Sequence, residues 1–421
     1  MLRYVLPDYD RGLFRVVPTI LSESLGLDVG EPYSKWVFRE RNIKKLFQDD
    51  VDVSVVLIID SLCLVALEGT LRRLWEETGG VILSSVVPST TGNAVALIYI
   101  GLPPEESGLI AMRFYVPEIG NYIDALYGKV SGVGTRDSLA SVGVKLSHLL
   151  WNRSILSSIE RSDVLFVDLL PSNIHGGLER FYEENLLSIH FAGGFDCVYE
   201  IRDVVREMIK RGYRGIVFAY FAELDNASHK YSYISKEWRG QLDYINMIID
   251  RLLRELEEIR RETGKKIQLN VMADHGHEIV EHDIVVQEEE WLDFAKRHGI
   301  AAYMPSGRFG FVYLNNRGDV GDFDVEKLEE FFGRKVDVIT IMDAIKMGFW
   351  PALREENLDR FLERAGDLVV LPHEKTDIHI ERGDKVEIPL ENVGNEYRKL
   401  RANHGGLTER EMLVPFINLV I

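Results

Sequence analysis

Cysteine is nearly absent from this chain, which has only Cys63 and Cys197 in 421 residues. Two cysteines do not make a disulfide framework, so we expect a reducing compartment and a cytoplasmic location. The first residues also lack the basic and apolar regions of a signal peptide. The most apolar stretch, residues 53–67, is too short for a spanning helix and contains Asp60. We therefore expect no membrane span.

Positive charge is also scarce: 49 lysines and arginines face 67 aspartates and glutamates, a net charge of −18. Such a chain does not suit general nucleic-acid binding, because phosphate backbones attract clustered positive charge. A phosphate-bearing substrate would then need a local source of positive charge, for which bound metal is the obvious candidate. With 46% hydrophobic and 28% charged residues, the composition is that of an ordinary globular protein. Its length exceeds the roughly 250–300 residues of one simple core, which predicts a large domain with a smaller addition.

Strands alternate with helices along the first two thirds of the chain. β-Branched apolar runs predict strands at 53–60, 80–88, 109–116, 163–170, 215–222 and 266–273. Helical patterns lie between them at 61–79, 93–100, 201–211 and 238–262. This alternation predicts an α/β fold with a mostly parallel sheet flanked by helices. Residues 285–375 mix short elements and are predicted to form an inserted cap region. The catalytic core would comprise 1–284 and 376–421, with residues 413–421 returning as a last strand.

Carboxylates and histidines occur where the predicted strands end. In open α/β sheets such ends form binding sites, and these side chains are ligands for divalent metal. The residues are Asp60, Asp225, His229, Asp274 and His275. A single Asp after a strand more often caps a helix. Asp225 and His229 are expected in a loop, where a role without metal is as compatible with the sequence as metal binding. The sequence also leaves open whether His277 and His282 are ligands or exposed loop histidines.

The segment VVPSTTGNAV contains the nucleophile candidates. Pro88 ends a strand, and Thr90 and Thr91 stand at the start of the next helix. A hydroxyl there faces the positive end of the helix dipole, which favours a developing anion. A nearby metal would activate it further. From this segment alone, a threonine that simply caps the helix is the more ordinary interpretation.

Taken in order, these motifs resemble the type I phosphodiesterase/nucleotide pyrophosphatase family of the alkaline phosphatase superfamily. The matching segments are LIIDSL, PSTTGNAVALIYIGLPPEESGL, ELDNASHKYS, DHG and NHGGLTEREMLVPF, which span most of the chain. The resemblance implies an alkaline-phosphatase-like fold, a covalent phospho-enzyme and a small phosphate-ester or nucleotide substrate. It also implies two divalent metal ions, zinc or manganese. The implied nucleophile is Thr91; the implied metal ligands are Asp225, His229 and His404 for one ion, and Asp60, Asp274, His275 and Thr91 for the other.

The chain departs from the family where an asparagine that contacts phosphate is expected downstream of the nucleophile. The corresponding segment, GLIAMRF, has Met112 and Arg113 instead. Arg113 could bind phosphate in its place or form a salt bridge elsewhere. The aromatic residues of the cap could stack on a base, although packing within the cap is the more ordinary role; these are Trp291, Tyr303, Phe309 and Phe311.

Other functional hypotheses remain within the same superfamily. A phosphoglycerate mutase-like enzyme would use a serine nucleophile, which the threonine argues against, and a phosphonate-hydrolysing enzyme remains compatible with the motifs. The C-terminal HGGLTEREMLVPFI also resembles the PglZ-type branch. A PglZ-like binding or defence module without turnover is therefore the alternative outside enzymes. The sequence predicts no oligomeric state.

Overall fold

A computed structural model describes residues 4–381 and 400–421, except 173, 175, 319 and 322. Residues 382–399, part of the predicted core, lie outside the described residues. The strands are β1 Val53–Ile59, β2 Val81–Ser84, β3 Arg113–Val116, β4 Asn121–Asp124, β5 Lys129–Val130, β6 Val164–Pro171, β7 Leu186–Phe191, β8 Arg214–Phe221, β9 Ile267–Met272, β10 Glu278–Ile279, β11 His282–Gln287, β12 Ile300–Ser306, β13 Phe309–Leu314, β14 Val336–Thr340, β15 Leu368–Pro372, β16 Thr376–Glu381, β17 Ala402–Asn403 and β18 Leu413–Val420.

Helices connect and cover these strands. The α-helices are α1 Val16–Thr19, α2 Arg41–Lys44, α3 Gly69–Thr78, α4 Thr91–Ile100, α5 Pro104–Ser107, α6 Ser138–Ser141, α7 Ile155–Ser158, α8 Gly194–Arg211, α9 Glu223–Tyr231, α10 Lys236–Thr263, α11 Glu288–Arg297, α12 Val325–Phe331, α13 Ile341–Met347, α14 Glu355–Ala365 and α15 Glu409–Met412. None of these described helices combines the length and the apolar character needed to cross a bilayer.

A seven-stranded sheet forms the centre of the molecule, in the order β2-β18-β9-β1-β8-β6-β7. Neighbouring strands from β9 to β7 are parallel, whereas β18 runs antiparallel to both β2 and β9. Strand β1 is buried along its whole length, as expected for a parallel strand covered on both faces. The predicted α/β fold with a mostly parallel sheet is confirmed.

Three predicted elements were wrong in extent. The strand expected at 80–88 ends at Ser84. The helix expected at 61–79 begins only at Gly69, because Ser61 has a left-handed φ of 64° and turns the chain away from β1. The strand expected at 109–116 is limited to Arg113–Val116. That strand belongs to a separate antiparallel sheet with β4 and β5, not to the central sheet.

A second, four-stranded sheet, β12-β13-β15-β14, lies within the predicted cap region. Side chains of β13 alternate between its two faces, as a strand requires. Phe309, Phe311 and Tyr313 join the main core, whereas Val312 and Leu314 pack in a second apolar cluster with Trp291 and other cap residues. We propose on this basis that residues 285–375 form an auxiliary region seated on the core, with the boundaries that the sequence indicates.

Candidate metal centre and active site

The six predicted metal ligands and Thr91 come together at one edge of the central sheet. Asp60 directly follows β1, Asp274 follows β9, and Asp225 lies in α9, which follows β8. Parallel strands end at the same edge, so these carboxylates converge. Because β18 is antiparallel to its neighbours, the strand begins at that same edge. The loop that precedes β18 therefore brings His404 close to ligands that lie far earlier in the sequence.

The first group surrounds Asp225. Its Oδ1 atom lies 3.4 Å from His229 Nε2 and 3.8 Å from His404 Nε2. The sequence predicted a loop here, but Asp225 and His229 occupy helix α9. Their spacing of four residues places both side chains on one helix face, so the helix aims both at the same point.

The second group surrounds His275. Its Nε2 atom lies 3.4 Å from Asp60 Oδ1, 3.2 Å from Asp274 Oδ2 and 3.1 Å from Thr91 Oγ1. The His275 and His404 rings stack with their centres 3.8 Å apart, which joins the two groups. The seven residues of the predicted site therefore form one continuous cluster.

The first group also contains His277, which the sequence left undecided between a metal ligand and an exposed loop histidine. Its Nε2 atom lies 3.5 Å from Asp225 Oδ1, and its side chain is fully buried. Asp225, His229, His277 and His404 each offer a ligand atom within 4.8 Å of the others. His282, the other undecided histidine, is exposed on β11. The only sequence signal for His277 was its place in the DHGH run.

Three carboxylates meet in this centre: Asp60 and Asp274 are buried, and the Asp225 side chain is 13% exposed. Burial raises the pKa of Asp60 well above its ordinary value, and the Asp225 and Asp274 carboxylates raise it further. Burial also raises the pKa of Asp225 and of Asp274. One oxygen of each carboxylate has no hydrogen-bond partner among the described residues. Buried charges without partners are costly, so this donor set fits divalent cations that would neutralise it.

Three histidines of the centre, His275, His277 and His404, are held in the neutral form that binds metal. Burial lowers the pKa of His275, and it lowers the pKa of His277 and His404 well below the ordinary value. Neighbouring histidines lower the pKa of His277 and His404 further, because imidazolium ions would repel one another. Neutral imidazole is the ligand form for zinc and similar metals.

The two threonines at the start of α4 point in different directions. Thr90 is fully buried, and its hydroxyl donates to Asn93 Oδ1 at 2.7 Å. The Thr91 hydroxyl is partly exposed and lies 3.4 Å from Asp60 Oδ2, in addition to its contact with His275. Thr91 is therefore the threonine whose oxygen faces the candidate metal centre.

A cleft of about 480 Å³ opens onto this centre. Arg113 lines the cleft and makes the salt bridge that the sequence left open, with Nε 2.9 Å from Asp124 Oδ2. Arg136 and Tyr127 also line it, and the Arg136 guanidinium lies 4.8 Å from the centre of the Tyr127 ring. Sequence reasoning missed both, because they lie in a polar segment without a motif.

The four aromatic residues of the cap for which base stacking was the less ordinary interpretation do not line this cleft. Trp291, Tyr303, Phe309 and Phe311 are all buried in apolar clusters. Their packing within the cap and against the core is therefore their structural role. Three tyrosines line the cleft instead, and of these Tyr127, 36% exposed, is the most accessible, since Tyr182 and Tyr220 are buried.

The loop carrying His404 is fixed by close backbone contacts. Gly405 has a left-handed φ of 107°, and a Cβ there would lie 2.5 Å from the Ser306 carbonyl oxygen. The backbone N–H of Arg308 donates to the His404 carbonyl at 2.7 Å. The Arg308 guanidinium pairs with Glu411 at 2.6 Å, and both side chains are fully buried. Glu411 also accepts a hydrogen bond from the Gly406 N–H. One carboxylate therefore connects the His404 loop to the turn between β12 and β13, which carries Arg308.

Known proteins resemble the chain both in family pattern and in fold. A family model described as type I phosphodiesterase/nucleotide pyrophosphatase matches residues 57–406. No curated protein sequence matches the chain. The family resemblance noted from the motifs is confirmed.

Solved structures share the fold over most of their length. Murine ectonucleotide pyrophosphatase/phosphodiesterase 5 is 14% identical, the match covers 87% of each chain, and the TM-score is 0.59. An inactive threonine-to-alanine variant of the murine protein is known in complex with AMP. Phosphonoacetate hydrolase from Sinorhizobium meliloti, in complex with phosphonoacetate, is 16% identical over 88% of this chain and 90% of that chain, with a TM-score of 0.56.

Proposed function

Because the chain belongs to the type I phosphodiesterase/nucleotide pyrophosphatase family, we propose that it is a metal-dependent phosphoric ester hydrolase acting on phosphodiesters or nucleotide pyrophosphates. The observation that carries the proposal is the position of Thr91. Its hydroxyl lies 3.1 Å from His275 Nε2 and faces Asp60, at the mouth of a centre made of carboxylates and histidines.

Two divalent cations would be held by the two groups of side chains. Asp225, His229 and His404 would bind one cation, and Asp60, Asp274, His275 and the Thr91 oxygen would bind the other. Zinc suits this mixture of imidazole and carboxylate ligands, and manganese also fits it. When bound, such cations polarise the phosphoryl group and lower the pKa of a neighbouring hydroxyl.

The chain's own residues would act in two displacements at phosphorus. The Thr91 oxygen forms a bond to phosphorus while the bond to the leaving oxygen breaks, and the leaving alcohol or phosphate takes up a proton. A water molecule then attacks the phosphothreonine, and the Thr91 oxygen leaves and regains its proton. The positive end of helix α4 at Thr91 favours the charge on the phosphoryl group in both steps.

A nucleotide is the substrate class best matched to the cleft. Arg113 and Arg136 bring positive charge to an otherwise acidic site, and guanidinium groups bind phosphate through paired hydrogen bonds. Tyr127 offers a partly exposed ring on which a base can stack. The murine structural relative was solved with AMP, which supports the same choice. The cytoplasmic location proposed from the scarcity of cysteine is compatible with a soluble nucleotide or phosphate ester as substrate.

The test is turnover of bis-p-nitrophenyl phosphate and of nucleotide pyrophosphates by Thr91→Ala, with Thr90→Ala as the matched control. Loss of the nucleophile costs several orders of magnitude in kcat in enzymes of this kind. We expect Thr91→Ala to lose turnover by about 10³-fold or more while retaining its metal. Thr90→Ala should stay within about tenfold of the wild type, because its hydroxyl faces Asn93.

Three results would count against the proposal. Activity that survives Thr91→Ala and is lost in Thr90→Ala would reverse the assignment. Activity that survives in both would require direct attack by water. Phosphonoacetate as the preferred substrate in the same screen would favour a phosphonate hydrolase, and no turnover in a fully metal-loaded protein would favour a binding or defence module.

A further inference from the structure

The short strand pair β10 and β17 places His277 beside His404. Glu278 pairs with Asn403 and Ile279 with Ala402 in antiparallel register. The residue before β10 therefore lies opposite the residue after β17, and these are His277 and His404. The same β17 accepts a hydrogen bond from His229, whose Nδ1 lies 3.0 Å from the Ala402 carbonyl oxygen. One backbone segment thus positions three imidazoles.

The spacing of these side chains is that of ligands on one cation. Asp225 Oδ1 lies 3.4, 3.5 and 3.8 Å from the Nε2 atoms of His229, His277 and His404. With metal–ligand bonds of about 2.0–2.1 Å, atoms in a tetrahedral set lie about 3.3 Å apart. The three ring centres are 4.7, 5.1 and 5.1 Å from one another, close to the about 5 Å expected for imidazoles around a tetrahedral ion.

The partner of each Nδ1 atom leaves Nε2 free to bind. His229 Nδ1 faces the Ala402 carbonyl, and His404 Nδ1 faces the Ser89 carbonyl at 3.2 Å. His277 Nδ1 forms its hydrogen bond with Ser61 Oγ. An Nδ1–H that donates to an oxygen leaves the Nε2 lone pair available, as in other metal-binding histidines.

His277 Nε2 is buried and has no hydrogen-bond partner among the described residues, and the same is true of Asp225 Oδ1. Their separation of 3.5 Å exceeds the about 2.7–3.2 Å of an N–H···O hydrogen bond. Two unpartnered polar atoms that face each other at this distance are explained by an ion between them. A direct hydrogen bond from His277 to Asp225 is the competing arrangement.

We propose that His277 is a fourth protein ligand, so that Asp225, His229, His277 and His404 form a closed tetrahedral set. This rests on the two-cation centre proposed above and adds a ligand to it. Sites with four protein ligands hold metal structurally, whereas catalytic sites keep a position open. Substrate phosphate would therefore bind chiefly at the Thr91 side, with the Asp225 site binding it only by expansion to five ligands.

The experiment uses the full-length protein loaded with Co²⁺ and its paramagnetic proton NMR spectrum. A histidine bound to Co²⁺ through Nε2 gives one exchangeable, strongly shifted Nδ1–H signal, and ¹⁵N-histidine labelling identifies these signals. We expect one signal from each of His229, His275, His277 and His404. His277→Gln should lose one signal and bind Co²⁺ at the Asp225 site at least about 10-fold more weakly. His282→Gln is the matched control and should change neither.

The count in the wild-type protein decides the question even if His277→Gln fails to fold. Two bound Co²⁺ ions with shifted signals from only His229, His275 and His404 would overturn the fourth ligand and favour a hydrogen bond to Asp225. That result would leave the proposed hydrolase standing. A folded protein that binds no Co²⁺ would overturn both proposals. Ser61→Ala keeps the His277 signal if His277 is a ligand, but that signal should exchange faster with water.

Discussion

Removing one carboxylate from the metal centre should stabilise the metal-free protein. Asp60 is buried beside Asp225 and Asp274, and burial together with these two charges raises its pKa well above the ordinary value. Asp60→Asn removes the charge and keeps the shape, and an amide oxygen can still accept the hydrogen bond that the Tyr220 hydroxyl donates to Asp60. We therefore expect the metal-free Asp60→Asn protein to be more stable than the metal-free wild type at neutral pH.

The sign and size of the pH dependence follow from the raised pKa. Folded Asp60 retains a proton at pH values where the unfolded chain, with a pKa of about 3.9, has lost it. Wild-type stability therefore falls as pH rises from about 4 to the folded pKa, by up to about 1.4 kcal/mol per pH unit. The Asp60→Asn variant lacks the contribution of residue 60, whereas Asp225 and Asp274 contribute in both proteins. The advantage of the variant therefore grows over this window and then becomes constant. The buried histidines have the opposite slope, but both proteins share them.

Thermal unfolding measures this difference. An unfolding entropy of about 2.1 cal/mol/K per residue gives about 0.9 kcal/mol/K for 421 residues. One proton should then shift the difference in Tm by about 1.5 °C per pH unit. Adding Zn²⁺ should reverse the order, because wild type gains about 2.7 kcal/mol at 100 times Kd and the variant lacks a ligand. The exposed Asp243→Asn is the control and should show neither effect.

The reasoning would be refuted by a metal-free Asp60→Asn protein that is less stable than wild type at every pH from about 5 to 9. It would also be refuted if Zn²⁺ stabilised the variant and the wild type equally. In the first case the carboxylates would not repel one another in the folded protein, and in the second Asp60 would not be a ligand.

Two further substitutions test the ion pair that supports the His404 loop and the arginine in the cleft. Glu411→Gln leaves the buried Arg308 guanidinium without a charged partner. The free energy of unfolding should fall by about 3–5 kcal/mol, which lowers Tm by about 3–6 °C. The control, Glu76→Gln on the exposed face of α3, should leave Tm unchanged. A Tm unaffected by Glu411→Gln would show that the pair does not hold the His404 loop. Arg113→Ala should raise KM for a phosphodiester by about 10-fold or more with kcat less affected, and an unchanged KM would limit Arg113 to its salt bridge with Asp124.

Much of the fold and of the candidate centre could be predicted from sequence because both rest on local patterns. Continuous apolar runs identified the parallel strands β1, β6, β8 and β9, but not β7, in which only Phe191 is buried. Asp60 and Asp274 were recognisable because each follows such a run. Thr91 could be placed only through its motif, since the directions of two adjacent hydroxyls depend on where helix α4 begins. The spacing of Asp225 and His229 suits a helix face, but a short polar segment after a strand also suits a loop.

The remaining features depend on contacts between distant parts of the chain. His277 is recognisable as a possible ligand only once β10 is known to pair with β17, and no sequence pattern encodes a pairing of two residues on each strand. The cleft residues Tyr127 and Arg136 lie in a polar stretch where hydrophobic periodicity carries no information. Residues 109–111 have the composition of a strand but are buried without strand pairing, because the chain there packs against helix α4, where the half-buried Met112 contacts Gly92.

The antiparallel strand β18 has a consequence for how the protein is made. Strand β2, which leads to Thr91, joins the central sheet through β18, and β18 is also the neighbour of β9. During translation, β2 and Thr91 therefore leave the ribosome more than 300 residues before β18, the strand with which β2 pairs. Until then the edge of β9 stays open to other chains, and such exposed edges promote aggregation. Translation pauses or truncations before β18 should yield chains that require chaperones.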